Sequence, residues 1–224
     1  YLTCEENFNN YFSSSDKNFK STDELHRYGI RTREIGLNWA KADSRFDLSK
    51  EVNEPNKVGY VVEIDPLNPN STPKKHTALG RFKHENAELV ISKDGKIIVY
   101  MGDDERGEYL YKYVSNESMN EVKDKSTLLS NGNLYVAKFN DNFTGEWLLL
   151  DTQTTGLSSK AEICIFTRLA ASKVGATTMD RPEWIASNPK KNEVCCCLTN
   201  NKNRGIKTNK GGDKVDVDKV NPRK

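Results

Sequence analysis

No apolar run in the sequence approaches the roughly 18–20 residues that a membrane-crossing helix requires, which excludes that class. Net charge is nearly absent too: 34 Lys and Arg stand against 32 Asp and Glu, a balance of +2. Such a balance gives no electrostatic reason to expect a nucleic acid or an acidic membrane as partner. With 14 Gly and 7 Pro in 224 residues, the chain is neither collagen-like nor Pro-rich. Cysteine occurs without a pattern. Cys4, Cys164, Cys195, Cys196 and Cys197 show no Cys-x-x-Cys spacing and no His at zinc-ligand distance. The Cys195–Cys197 run lies in a strand-like apolar stretch and reads as small buried hydrophobes. Neither a phosphate-binding glycine loop nor a Gly-x-Ser-x-Gly elbow is present.

The chain does have many short strand patterns. Residues 2–4 read as strand, as do 58–65, which are rich in β-branched residues and end at Pro66. Residues 87–91 and 96–101 flank Lys93-Asp94-Gly95, a hairpin signal because Asp and Gly both tolerate positive φ. Runs 107–115, 133–139, 145–150 and 194–198 complete the set. Strands this closely linked by turns imply an all-β sandwich, barrel or propeller. Helical signals are fewer. Ser159 and Glu162 form a start signal, Ile163, Phe166, Leu169 and Ala170 keep a helical spacing, and Gly175 can end it. Residues 13–56 read as a polar insertion with one helix near 23–28. Residues 200–224 read as a polar loop.

Four charged clusters sit where strands should meet loops: residues 3–7, 81–86, 102–106 and 180–184. Taken singly, each is more simply a solvated loop end. The last is harder to dismiss. Pro182 disfavours helical geometry at Arg181 and points to an extended segment, in which Arg181 and Glu183 face the same side. A guanidinium there suits phosphate or carboxylate oxygens. A structural Arg–Glu pair beside a packed Trp184 accounts for the spacing equally well. Carboxylates that converge in a partly buried place require cations. Oxygen ligands suit calcium, and mixed sites take iron or manganese. His26 and His76 read as surface residues, and His84 as a loop His able to position Glu85.

At these residues a resemblance appears. Residues 2–9, 59–66, 77–85, 100–105, 109–114, 179–185 and 198–201 with Arg204 are similar, in order, to blocks of the PhoX-type alkaline phosphatases. The resemblance implies a six-bladed β-propeller carrying a cluster of iron and calcium. It implies an exported, periplasmic or extracellular phosphomonoesterase, for which a monomer is expected. It makes Glu6, Glu85 and Glu183 metal ligands and Arg181 the phosphate-binding catalytic residue. Asp103, Asp104 and His84 remain candidates without a role. The family's cysteine ligand belongs to a block upstream of Cys4, and Cys4 is not its equivalent. Further family carboxylates lie beyond Asn221-Pro222-Arg223. The expectation is therefore a partial propeller domain over residues 1–224, truncated at both ends, with a polar insertion and one or two short helices, and inactive by itself. Two rivals remain: a non-catalytic calcium-binding propeller scaffold, and a calcium-dependent propeller hydrolase of another class, such as a lactonase.

Overall fold

A computed structural model describes residues 1–215; the expected ending at residues 220–224 lies outside them. The chain is mostly β with few helices, and the sheets of the described residues are antiparallel and open. Strands β1 (Leu2–Cys4), β2 (Val61–Glu63) and β3 (Lys74–His76) form a small sheet. Strands β4 (His84–Ile91), β5 (Lys96–Asp103), β6 (Leu110–Ser118), β7 (Gly132–Phe139) and β8 (Gly145–Leu149) form a five-stranded meander. Strands β9 (Pro182–Ser187) and β10 (Val194–Leu198) make a two-stranded ribbon. No helix among the described residues is long and apolar enough to cross a membrane.

Alternation along the strands explains the layers. Ile97, Val99 and Met101 of β5 turn to one face and pack with Tyr111, Tyr113, Leu134, Val136 and the helix residues Ile163 and Ala170. The opposite face, with Leu110 and Ala137, packs on Met179 and Ile185 and carries the ribbon. The polar stretch after β1 is more than an insertion. Phe8, Phe12, Leu25, Tyr28, Ile30 and Leu48 gather into a second small core. It includes helix α1 (Asp23–Arg27), capped by the Thr22 hydroxyl, which accepts the Leu25 amide. The short helix α2 (Trp39–Ala42) lies at its edge.

Several expectations need correction. The hairpin at 93–95 forms, but only Gly95 takes positive φ (79°). The Gly95 amide donates to the Ser92 carbonyl and the Ser92 amide to the Lys96 carbonyl, closing a three-residue loop that needs no positive φ at Asp94. After the one-turn helix α3 (Thr152–Thr155), the helix expected from Ser159 to Gly175 is two helices, α4 (Lys160–Ile165) and α5 (Thr167–Lys173). The break is at Phe166. The Thr167 hydroxyl donates to the Ile163 and Cys164 carbonyls, and the Tyr28 hydroxyl donates to the Ile165 carbonyl, so groups that would continue the helix are taken by other partners. Cys195 and Cys197 are exposed and Cys196 half-buried, because β10 pairs with β9 alone and alternate residues face away from the five-stranded sheet. Trp184, on that same outer side, is 59% exposed. His76 is buried, 2.7 Å from Glu63 Oε2, while His26 is exposed.

One glycine lets the ribbon cross the sheet. A Cβ on Gly102 would lie 2.5 Å from the Pro182 carbonyl oxygen and 2.7 Å from that of Glu183. Both obstacles are backbone, so neither can swing aside. Gly102→Ala is expected to push β9 away from β5 and to destabilise the protein by about 1–3 kcal/mol, the usual range for overpacking. A lower urea midpoint at unchanged slope is the readout.

Candidate metal centre

The four charged clusters converge. Glu6 follows β1, Glu85 lies in β4, and Asp104 follows the last residue of β5. One carboxylate oxygen from each of the three lies within 4.8 Å of the other two. Arg181, just before β9, donates from Nε and Nη2 to the two Asp104 oxygens, 2.8 Å each. Its Nη2 lies 3.5 Å from Glu183 Oε1.

Local structure places each group. Pairing of β4 with β5 in the five-stranded sheet jumps from His84 opposite Asp103 to Ala87 opposite Met101. Two residues of β4, Glu85 and Asn86, thus stand against Gly102. Such a bulge re-aims side chains. The buried Asn86 amide exchanges two hydrogen bonds with the backbone of Ile185, at 2.8 and 3.0 Å, which locks β9 to β4. Glu88 accepts from the Ser187 amide and hydroxyl further along.

Arg181 is not extended. Its φ is 50°, in the left-handed region that disfavours side chains. Two anchors on either side hold it there. Asp180 is fully buried, accepts from Arg204 Nε and Asn201 Nδ2, and its carbonyl accepts the Thr199 amide. Beyond Pro182, the β9 backbone is fixed by Asn86. The chain must turn sharply between these anchors, and Asp104 fixes the guanidinium.

Electrostatics follow from this crowding. The Glu6 carboxyl is raised to about 7, first by burial, then by Glu85 and Asp104. Glu85 is also raised, by burial first and then by Asp104 and Glu183, with Arg181 opposing. The Cys4 thiol is pushed up to about 12 by burial and by Glu85 and Glu6, so without a cation it is neutral.

The remaining candidates separate. Glu183 adjoins Arg181 but is not one of the three grouped carboxylates. Asp103 points away from them into a fully buried pair with Arg168 of α5. His84 belongs to the core. It stacks on Phe82 at 3.7 Å between ring centroids, its Nε2 lies 2.9 Å from the Gly80 carbonyl, and burial pushes it down to about 3. A neutral imidazole held this way does not position Glu85. Asp104 carried no role in the sequence reading, yet it touches both the carboxylates and the guanidinium. Asn86 and Arg168 were not singled out. Arg168 leaves one trace in the sequence, a charge set among the apolar positions of a helix.

The family model of the alkaline phosphatase PhoX matches residues 1–224. The chain belongs to that family. A solved structure, Pseudomonas fluorescens PhoX in complex with vanadate, a transition state analogue, superposes with a TM-score of 0.88 at 46% identity. The match covers 100% of this chain and 40% of that one, so the chain spans well under half the length of this PhoX relative. No curated protein matches it.

The raised Glu6 carboxyl has a measurable consequence. From about pH 4.5 to about pH 7 the unfolded chain releases this proton while the folded protein keeps it. Stability of the metal-free protein is therefore expected to fall as pH rises through that window and to level off above it. Thermal melts in chelator across the window check this, and Glu6→Gln is expected to reduce the slope.

Proposed function

We propose that this chain is part of a metal-dependent phosphomonoesterase in which Glu6, Glu85 and Asp104 hold cations and Arg181 grips the phosphoryl group. The observation that carries the reading is the meeting of three carboxylates from separate segments, two with raised affinity for protons, beside a guanidinium. A site that binds protons above the ordinary carboxylate range is under-supplied with positive charge, and divalent cations relieve that deficit. The all-oxygen donor set fits calcium; iron enters from the family resemblance alone. When bound, such cations neutralise phosphoryl oxygens and acidify water for attack.

The protein's own groups divide the remaining work. Asp104 engages Nε and Nη2 of Arg181, which leaves Nη1 for a phosphoryl oxygen. Glu183, 3.5 Å from Nη2, orients the guanidinium from its other edge and is a further ligand in this reading. The vanadate bound by the Pseudomonas relative mimics a transition state, which supports a phosphate ester as substrate here. In the same reading the antiparallel sheets are parts of a six-bladed propeller, and the protein is an exported monomer working in the periplasm or outside the cell.

One observation favours a rival. The Arg181 fork is already closed on Asp104, as in a purely structural pair beside a calcium site. A calcium-binding scaffold without turnover would look the same, so turnover decides. The protein with its whole natural polypeptide is expected to release phosphate from an aryl phosphate at alkaline pH and to lose this in chelator. Arg181→Ala is expected to lower kcat/KM by about 10²–10³, the usual effect of removing one donor to a charged transition state. Full activity in the Arg181→Ala, Glu183→Ala double variant overturns the residue assignment. Calcium-dependent stability without turnover favours the scaffold, and hydrolysis of lactones in place of phosphate esters favours the other hydrolase class.

A further inference from the structure

Behind the carboxylates lies a second layer of charge that the reading above does not use. Arg168 on α5 and Asp103 at the end of β5 are both fully buried, and Nε and Nη2 of the arginine reach the two carboxylate oxygens at 2.7 and 2.6 Å. Arg168 Nη1 donates to the Arg27 carbonyl at 3.1 Å, and its guanidinium lies over the Tyr28 ring at 5.0 Å. Arg27 in turn pairs with the buried Glu108, which is 3.8 Å from Arg168 Nε. Two arginines and two carboxylates thus balance inside the protein, next to an apolar core.

A buried ion pair is poor evidence of a stability role, because hydrophobic residues in its place often do as well. Its geometry says more. Asp103 Oδ1 also accepts the Lys83 amide at 3.3 Å, and the Asp104 amide donates to the Lys83 carbonyl at 3.0 Å. The Asp103 carboxylate and the Asp104 backbone are therefore both fixed to the segment that leads into Glu85. Neighbouring residues of an extended chain point to opposite sides. Asp103 points to the helix layer, where Arg168 clamps it, and Asp104 points to Glu6, Glu85 and Arg181.

We propose that Arg168 is a positioning residue for the metal centre: its two-pronged hold on Asp103 sets where Asp104 stands, and through Asp104 where Arg181 stands. The proposal rests on reading Glu6, Glu85 and Asp104 as a cation site. A lysine at 168 keeps the charge but loses the fork, so Asp103 stays paired while its orientation is released.

Calcium titration of the chelator-stripped protein, with its whole natural polypeptide, tests this without relying on turnover. Arg168→Lys is expected to weaken calcium binding by about tenfold to a hundredfold, the usual effect of removing a partner that orients a ligand. Asp103→Asn, nearly isosteric, is expected to do the same and serves where lysine does not fit. Leu48→Ala, in the second core, is the control for lost stability, expected to melt earlier yet bind calcium within about twofold of wild type at a temperature where all variants are folded. Phosphatase kcat/KM and inhibition by inorganic phosphate are expected to fall together in Arg168→Lys. Wild-type calcium affinity in both Arg168→Lys and Asp103→Asn overturns the proposal, as does an equal loss in Leu48→Ala. Wild-type protein that binds no calcium overturns the cation site itself and the positioning role with it. Calcium binding and its loss in Arg168→Lys, without phosphatase turnover in wild type, supports the positioning role and refutes the enzyme reading.

Discussion

Like charges repel, and the proposed metal centre is built against that repulsion. Glu6, Glu85 and Asp104 bring oxygens within 4.8 Å of one another in a half-buried place. With no cation, a proton is retained there up to about pH 7, and Arg181 closes both of its prongs on Asp104. The rest of the described structure can be understood as what holds these groups in place despite the cost. Strands bring them together, a glycine admits the crossing strand, and a buried arginine braces the carboxylate's neighbour.

The bracing has a common design. Each site residue sits beside a residue whose side chain is bonded to another segment of the chain. Glu5 accepts the Gly59 and Tyr60 amides and pairs with Lys75 next to Glu6. Asn86 clamps Ile185 next to Glu85, Asp103 holds Arg168 next to Asp104, and Asp180 binds Arg204 next to Arg181. Near-extended backbone lets Asp103 face the interior while Asp104 faces the site; at Asn86 the bulge in β4, and at Arg181 the left-handed turn, separate the two directions. The strain at Arg181, φ 50°, is tolerated because both flanks are fixed.

Much of the β architecture was legible, because the strands of the five-stranded sheet are short runs rich in β-branched and aromatic residues separated by turn residues. Polar β3, Lys74–His76, was missed, since its pairing with β2 leaves no apolar signature. So was β9 as a strand, since it begins at a proline and its exposed Trp184 and Ala186 do not mark an inner face. The break at Phe166 was illegible because part of its cause lies far off in the sequence, in the Tyr28 hydroxyl that acts together with the local Thr167 hydroxyl. His84 and Asp103 looked like site residues because they adjoin Glu85 and Asp104. Adjacency in a strand instead puts a residue on the opposite face.

Sequence alone determined the kind of chemistry available: acidic clusters at strand ends, a lone Arg-Pro-Glu step, and ordered blocks similar to one phosphatase family. Those are local properties, carried by residue types within a few positions of each other. Which carboxylates meet depends on strand register, on the bulge at Glu85–Asn86 and on the space left by Gly102. The tertiary structure therefore decided that Asp104 joins Glu6 and Glu85 while Asp103 turns inward, because contacts between segments some 80 to 100 residues apart have no trace in local pattern.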